Sequence, residues 1–183
     1  MNQVRLDKFN NKNYSAGNLV YRVIWYMISL AFFETAFPFP IAVKRSILRM
    51  FGAEIGKGVI IKPRVHVKYP HNLSVGNHTW IGEGAWIDNL DKVKLGNHCC
   101  ISQGAYLLCG NHDYTSQNFD LITKPITMQD GSWAGAKSIL GPGSVLEEEA
   151  VLTAGSVGLG TLSARLIHQG NPATPNRNRI ITE

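Results

Sequence analysis

The sequence has none of the features that mark secreted, disulfide-stabilised or nucleic-acid-binding proteins. It contains only three cysteines among 183 residues, an odd number that gives no paired disulfide framework. Its first fifteen residues are polar, unlike a secretory signal peptide, so we expect a cytoplasmic, reducing setting. The net charge is +5, but the basic residues never form a run of five, so we expect no nucleic-acid partner.

A long hydrophobic run is also missing. The most apolar segment covers residues 19–41, yet Arg22 and Glu34 bracket only eleven uncharged residues within it. A membrane-spanning helix needs about 20 such residues, and Pro38 and Pro40 end the run early. Two interpretations stay open: a helix that packs against the rest of the domain, or one whose apolar face contacts a membrane surface.

The middle of the chain contains a six-residue repeat. Aliphatic residues recur at Ile55, Ile61, Val67, Val75, Ile81, Ile87, Leu95, Ile101, Leu107, Met128, Ala134, Leu140, Leu146 and Leu152. Small residues follow most of them by four positions, at Thr79, Ala85, Cys99, Ala105, Ser132, Ser138, Ser144, Ala150 and Ser156. A period of six excludes an amphipathic α-helix, whose apolar positions are three and four residues apart.

Each six-residue unit fits one short strand and one turn. Three units close a triangular coil of about 18 residues, and successive coils stack their strands about 4.8 Å apart, as in a sheet. The aliphatic residue points into the prism and the small residue fits the corner. Glycine often follows the aliphatic residue, as at Gly56, Gly76 and Gly96, where we expect it to supply turn conformations. The predicted fold is mainly β, a parallel β-helix of hexapeptide repeats.

These hexads resemble those of the hexapeptide-repeat acyltransferase family over residues 55–173. Residues 133–136 (Trp-Ala-Gly-Ala), 153–157 (Thr-Ala-Gly-Ser-Val) and 170–173 (Gly-Asn-Pro-Ala) are similar to the sugar O-acetyltransferase branch. The apolar N-terminal segment followed by residues 49–56 (Arg-Met-Phe-Gly-Ala-Glu-Ile-Gly) resembles acetyltransferases of exopolysaccharide clusters, the colanic-acid type. The resemblance implies a left-handed β-helix, a homotrimer and acetyl-CoA as co-substrate.

We divide the chain into three parts. Residues 1–54 are predicted to form an N-terminal helical cap segment, residues 55–157 the β-helix, and residues 158–183 a C-terminal tail. A solenoid needs its end coils covered, because an open coil exposes inward aliphatic side chains and unpaired strand edges.

A break in the repeat marks the expected active site. Leu107 and Met128 lie 21 residues apart and one unit takes six of these, so the remaining 15 leave the prism as a loop at about 110–124. The loop contains His112. Successive coils are offset by 20 residues, which places two polar residues one coil earlier on the same face. The residues expected to bind the acceptor are Asp88, Asn89, Asn111, Asp113 and Tyr114.

By the resemblance, His112 is the general base. An ordinary imidazole has a pKa of about 6.5, which suits removal of a hydroxyl proton at neutral pH. The hydroxyl oxygen attacks the thioester of acetyl-CoA in a ternary complex, with a backbone N–H as the oxyanion donor. The residues expected to bind the cofactor are Trp133, Ala136, Lys137, Ala154, Arg177 and Arg179. By the resemblance Ala136 is the oxyanion donor, whereas Lys137, Arg177 and Arg179 are cations that suit the phosphates of CoA. We expect no metal requirement, because His78 and His98 stack in Gly-Asn-His turns without a carboxylate or thiol to complete a ligand set.

The sequence leaves the acceptor open. We predict a saccharide, either a small molecule or lipid-linked, in exopolysaccharide biosynthesis. The alternatives are another acceptor, such as an antibiotic, an amino sugar or serine, and a trimeric β-helix that is non-enzymatic or similar to γ-carbonic anhydrase. Outward-facing Trp80 and Trp86 favour a homotrimer. For residues 19–41, peripheral contact at the inner face of the membrane is the alternative to packing against the domain.

Overall fold

The computed structural model describes residues 3–182 and shows two helices followed by a three-sided β-helix. Helix α1 covers Leu19–Phe32 and helix α2 covers Ile41–Met50. Short 3-10 turns lie at Leu6–Lys8 and Pro70–Asn72. Within residues 3–182, no helix has the length and hydropathy required to cross a membrane.

Within the described residues, twenty short strands follow the helices. They are β1 (Glu54–Ile55), β2 (Ile60–Ile61), β3 (His66–Val67), β4 (Leu73–Val75), β5 (Trp80–Ile81), β6 (Trp86–Asp88), β7 (Val93–Leu95), β8 (Cys100–Ile101), β9 (Tyr106–Leu108), β10 (Gly110–His112), β11 (Leu121–Thr123), β12 (Ile126–Met128), β13 (Trp133–Ala134), β14 (Ile139–Leu140), β15 (Val145–Leu146), β16 (Val151–Leu152), β17 (Val157–Gly158), β18 (Thr161–Leu162), β19 (Leu166–Gly170) and β20 (Ala173–Asn178).

Three parallel sheets form the faces of the prism. Face A has the order β1-β4-β7-β12-β15-β18, face B the order β2-β5-β8-β13-β16-β19, and face C the order β3-β6-β9-β14-β17. On face A, Ile55 pairs with Val75, Val75 with Leu95, and Leu95 with Met128. The register therefore advances by 20 residues per coil as far as Leu95. From Leu95 to Met128 it advances by 33 residues, because this coil includes the extruded segment.

The interior of this prism is the core. Every aliphatic residue of the predicted repeat is buried, and the most accessible of them, Ile55, is only 7% exposed. The small residues predicted at the corners are buried as well. Since the inward positions are those that the period of six assigns, the predicted β-helix of hexapeptide repeats is confirmed.

The turn role predicted for the glycines after the aliphatic residues is wrong. Gly56, Gly76 and Gly96 do not have positive φ angles. The turn conformation falls two residues later, at His78 and His98, with φ angles of 57° and 54°. A Cβ on Gly76 would lie 2.5 Å from the carbonyl group of Gly96, because the next coil stacks directly against it. These glycines therefore allow close stacking of successive coils.

The coils continue beyond residue 157. Strand β18 pairs with β15, and β19 pairs with β16 before the chain turns back into antiparallel β20. The repeat is hard to see here, because Gly158 occupies an inward position and Leu162 follows after four residues instead of six. The last coil thus includes part of the segment that the sequence assigned to a tail.

Side chains from the N-terminal helices contact the open end of the first coil. This coil donates its backbone N–H groups to the second coil, so its carbonyl groups point the other way. Each face receives one side-chain donor: Trp25 Nε1 to Val67 O at 2.8 Å, Lys44 Nζ to Lys62 O at 2.9 Å, and Arg49 Nε to Ile55 O at 3.1 Å. The helices thus satisfy carbonyl groups that no preceding coil can reach.

Candidate active site

The extruded segment is a β-hairpin at the corner between faces C and A. Strand β10 follows β9 after one residue and pairs antiparallel with β11, with His112 opposite Leu121. A Cβ on Gly110 would overlap Cδ1 of Leu90, so a larger residue where the hairpin leaves the coil would displace that side chain. The hairpin gives His112 a defined backbone position.

Aromatic rings and a backbone carbonyl hold the imidazole of His112. Its Nδ1 lies 2.8 Å from the carbonyl oxygen of Phe119. Because a carbonyl only accepts hydrogen bonds, Nδ1 carries the proton. The Phe119 ring stacks on the imidazole with centroids 4.3 Å apart, and Phe9 meets its edge at 5.4 Å. In the neutral ring the lone pair is therefore on Nε2, which is available to act as a base.

A cavity of about 480 Å³ lies beside this imidazole. We call it the site cavity; besides His112 it is lined by Phe9, Asn11, Tyr14, Arg22, Lys68 and Leu90. The N-terminal segment is held over the hairpin by a hydrogen bond from Arg5 N to Gln117 O at 2.8 Å. The Tyr14 hydroxyl donates to Leu90 O at 3.1 Å, and burial raises the pKa of Tyr14 well above its usual value, which keeps it neutral.

The predicted acceptor residues of the hairpin have different surroundings. The side-chain oxygen of exposed Asn111 accepts from the backbone N–H of His112 at 2.8 Å. The Asp113 carboxylate accepts from the Thr115 hydroxyl at 2.6 Å and from its N–H at 2.9 Å, and these bonds hold the pKa of Asp113 below its usual range. Tyr114 is 77% exposed. Asn111 and Asp113 thus shape the hairpin, whereas Tyr114 projects from it.

Asp88 and Asn89 lie one coil before the hairpin. One Asp88 carboxylate oxygen is 2.8 Å from Lys68 Nζ, and the other accepts from the Tyr106 hydroxyl at 3.3 Å. Burial, with the nearby Asp88 charge, raises the pKa of Tyr106 to about 12. Asn89 is fully buried, and its amide group bonds to both the N–H and the carbonyl of Tyr69. Asn89 therefore joins two coils, while Asp88 holds the Lys68 amine at the cavity wall.

The candidates for acetyl-CoA binding lie at the other edge of face C. Ala136 and Lys137 form the corner between β13 and β14, and Ala154 lies at the same corner one coil later. The Ala136 N–H donates to no acceptor in the described part of the chain, so it is available to an oxyanion. His112 lies at the corner between faces C and A, so face C separates it from Ala136 within one chain.

The remaining residues predicted to bind the cofactor lie on face B and on the last hairpin, which is formed by β19 and β20. Trp133 is 43% exposed, and its Nε1 donates to the Ser102 hydroxyl at 2.8 Å. Arg177 is exposed on β20. Arg179 is used inside the chain, since its guanidinium lies 3.1 Å from the Glu149 carboxylate. Trp133 and Arg177 thus remain accessible to a ligand, and Arg179 anchors the last hairpin.

The other histidine and cysteine side chains do not form a second reactive cluster. His78 and His98 are exposed and stack with centroids 5.2 Å apart. Residues 3–182 contain no group of three or more His, Cys, Asp or Glu side chains placed to hold a metal ion. Cys99 and Cys109 are buried, and burial raises the pKa of Cys109 to about 12, which disfavours a thiolate nucleophile.

Stacked six-residue units with one extruded hairpin define a hexapeptide-repeat protein, and known proteins support this class. WcaF of Escherichia coli strain K12, an acetyltransferase assigned to colanic acid biosynthesis, is 32% identical over 172 residues, 94% of each chain. The galactoside O-acetyltransferase of the same strain is 21% identical over 154 residues, 82% of this chain and 73% of that protein. No protein-family profile matches the chain.

A solved structure shows the same fold. The hexapeptide-repeat acetyltransferase of Vibrio cholerae O1 biovar eltor, complexed with acetyl coenzyme A, has a TM-score of 0.82 at 21% identity over 96% of each chain. The chain belongs to the hexapeptide-repeat acetyltransferase family, because its similarity to WcaF spans nearly the full length of both proteins. It is an acyltransferase, and the family and enzyme class predicted from its repeats are confirmed.

Proposed function

We propose that this enzyme transfers the acetyl group of acetyl-CoA to a hydroxyl of a saccharide in exopolysaccharide biosynthesis, with His112 as general base. The observation that supports this most strongly is the hydrogen bond from His112 Nδ1 to the Phe119 carbonyl, beside a cavity large enough for a sugar. The acceptor class rests on the names of two relatives, one assigned to colanic acid biosynthesis and one to galactoside acetylation.

The proposed reaction needs no covalent acyl-enzyme. Nε2 of His112 removes the proton of the acceptor hydroxyl while its oxygen attacks the thioester carbonyl. The tetrahedral oxyanion then collapses, the C–S bond breaks, and the CoA thiolate takes the proton from the imidazolium. The Phe119 carbonyl stabilises that imidazolium, because its oxygen accepts a hydrogen bond from Nδ1–H, with Nδ1 at 2.8 Å, before and after Nε2 takes up the proton.

We propose that a second copy of the chain completes the site. His112 and the free Ala136 N–H lie at opposite edges of face C, so a neighbouring protomer in a homotrimer would supply one of them. Trp133, Lys137, Ala154 and Arg177 line the acetyl-CoA side in this proposal. Arg179 contributes by anchoring the last hairpin rather than by contacting phosphate, since Glu149 already neutralises it.

Replacement of the base tests the proposal. We expect His112→Ala to lower kcat/KM by about 10²–10⁴-fold, the usual contribution of a general base. The measurement is thiol release from acetyl-CoA with a panel of saccharide, amino sugar and amine acceptors. His98→Ala is the matched control, because His98 is exposed in a distant turn and should leave the rate unchanged. A near-normal rate for His112→Ala would exclude His112 as the base.

A further inference from the structure

Two cavities meet beside the first turn of α1. The site cavity ends at Arg22, Lys68 and Tyr69, and the same three residues line a second cavity of about 510 Å³. This second cavity, the α1 groove, lies between α1 and face C. Its other walls include Leu19, Val23, Tyr26 and Trp86, so it is mainly apolar.

The residues at the junction are cationic. Arg22 is half-buried and forms no ion pair within residues 3–182. Lys68 pairs with Asp88 at 2.8 Å, but its side chain remains 42% exposed toward the cavities. Arg22 lies in the first turn of α1, where the helix dipole adds to the positive potential. An unpaired guanidinium held at this point has a strong preference for an anion.

The order of these features suggests the chemistry of the ligand. A hydroxyl must reach His112 at one end, an anion fits Arg22 and Lys68 in the middle, and an apolar chain fits the groove at the other end. A phosphate ester joins a sugar on one side to an alcohol-derived chain on the other, whereas a sugar carboxylate has nothing to place in the groove. The one carboxylate among the groove's lining residues, Glu34, accepts from the Ser29 hydroxyl at 2.8 Å and lies 3.2 Å from His66.

We propose that the acceptor is a saccharide linked through phosphate to a lipid chain. This inference rests on the proposed function and specifies its substrate class. The saccharide occupies the site cavity, the phosphate contacts Arg22 and Lys68, and the first carbons of the lipid lie in the α1 groove. The exposed side chains of α1 continue the apolar surface beyond the groove.

Three synthetic acceptors that share one saccharide test this inference. They are the free sugar, its 1-phosphate, and the phosphodiester that joins the same sugar to a ten-carbon alkyl chain. We expect kcat/KM to rise at each step. Arg22→Gln should lower kcat/KM for the two phosphate acceptors about 10–100-fold more than for the free sugar, as for loss of a charge-assisted contact. Arg45→Gln, a half-buried cation on α2, is the control and should preserve all ratios.

A second variant separates the lipid from other occupants of the groove. Val23→Asn should reduce the preference for the alkyl phosphodiester over the sugar phosphate and leave the molecular mass unchanged. Equal use of all three acceptors, or an equal loss on all three in Arg22→Gln, would overturn the inference. A changed mass in Val23→Asn with an unchanged acceptor preference would assign the groove to a second copy of the chain. If the free sugar is acetylated in a reaction that depends on His112, but the two phosphate acceptors are not used, the proposed function is supported and this inference fails.

Discussion

At the scale of the residue, stacking of coils imposes stricter limits than turn geometry does. The residue directly after an inward aliphatic, such as Gly76, contacts the backbone of the next coil. The residue two positions later, such as His78, adopts a left-handed φ of 57° and points outward. At Gly76 an added Cβ would therefore meet the backbone of the next coil, whereas position 78 tolerates a polar residue.

We predict that Gly76→Ala destabilises the protein by about 1–3 kcal/mol, because its Cβ would lie 2.5 Å from the Gly96 carbonyl and force two coils apart. Thermal unfolding monitored by circular dichroism measures the effect. Gly160→Asn is the control, since Gly160 has a φ of 66°, which asparagine tolerates, and open space around it. Equal melting temperatures for Gly76→Ala and the unmodified protein would contradict the stacking role.

At the scale of the element, we propose that α1 and α2 cap the β-helix by donating to its first coil. Trp25→Phe keeps an aromatic ring in the core but removes the donor to the Val67 carbonyl, so we expect a loss of about 1–3 kcal/mol. Tyr26→Phe on the same helix is the control, because its exposed ring should change stability by less than about 0.5 kcal/mol. Chemical denaturation compares the two.

Removal of residues 1–40 extends the same prediction. It takes away Trp25 and exposes the end of the first coil, so we expect insoluble protein. Soluble, folded protein after this deletion would show that α1 is dispensable for capping.

Helix α1 also has an apolar face that the β-helix does not cover. Val20, Val23, Ile24 and Met27 are between 48% and 65% exposed on successive turns of the helix. We propose that this face lies on a membrane surface, and we predict that the protein co-sediments with anionic vesicles. Val20→Gln combined with Met27→Gln should reduce the bound fraction, while Val43→Gln on α2 should not. Protein that stays wholly in the supernatant would leave α1 with the capping role alone.

At the scale of the whole molecule, the three faces differ in character. The outward residues of face A include Glu54, Ser74 and Lys94, all polar. The outward residues of face C include Trp86 and Tyr106, whose rings stack with centroids 5.0 Å apart. Face B also carries outward aromatic residues, Trp80 and Trp133. Two aromatic faces and one polar face suit a cyclic trimer, in which each chain buries two different surfaces against two neighbours. We propose that the neighbour contacts face C beyond the α1 groove, so that Trp86 remains accessible to the lipid.

We predict that light scattering at micromolar concentration reports the mass of three chains. Trp80→Lys, on face B, should weaken the assembly and lower activity together, because the proposed site includes two protomers. Lys94→Glu on face A is the control and should change neither. An active monomer would contradict both the trimer and the shared site.

The sequence alone determined the fold and the position of the hairpin. Burial inside the prism depends only on which residue of each unit points inward, so a period of six specifies the core without knowledge of any long-range contact. The interval between Leu107 and Met128 is longer than one unit, so it also locates the hairpin that carries His112. Beyond Leu152 the period fails at Gly158, and there the sequence misplaced the end of the coils.

Only the tertiary structure decided what surrounds His112. The Phe119 carbonyl reaches Nδ1 because the hairpin folds back, and Phe9 arrives from a segment that follows no repeat. Tyr14 and Leu90 are 76 residues apart in the sequence, and such a contact leaves no periodic signal. The junction of Arg22 with Lys68 is of the same kind. Local periodicity records which side of a strand is buried, whereas the walls of a site are built by segments whose proximity depends on the packing of the entire chain.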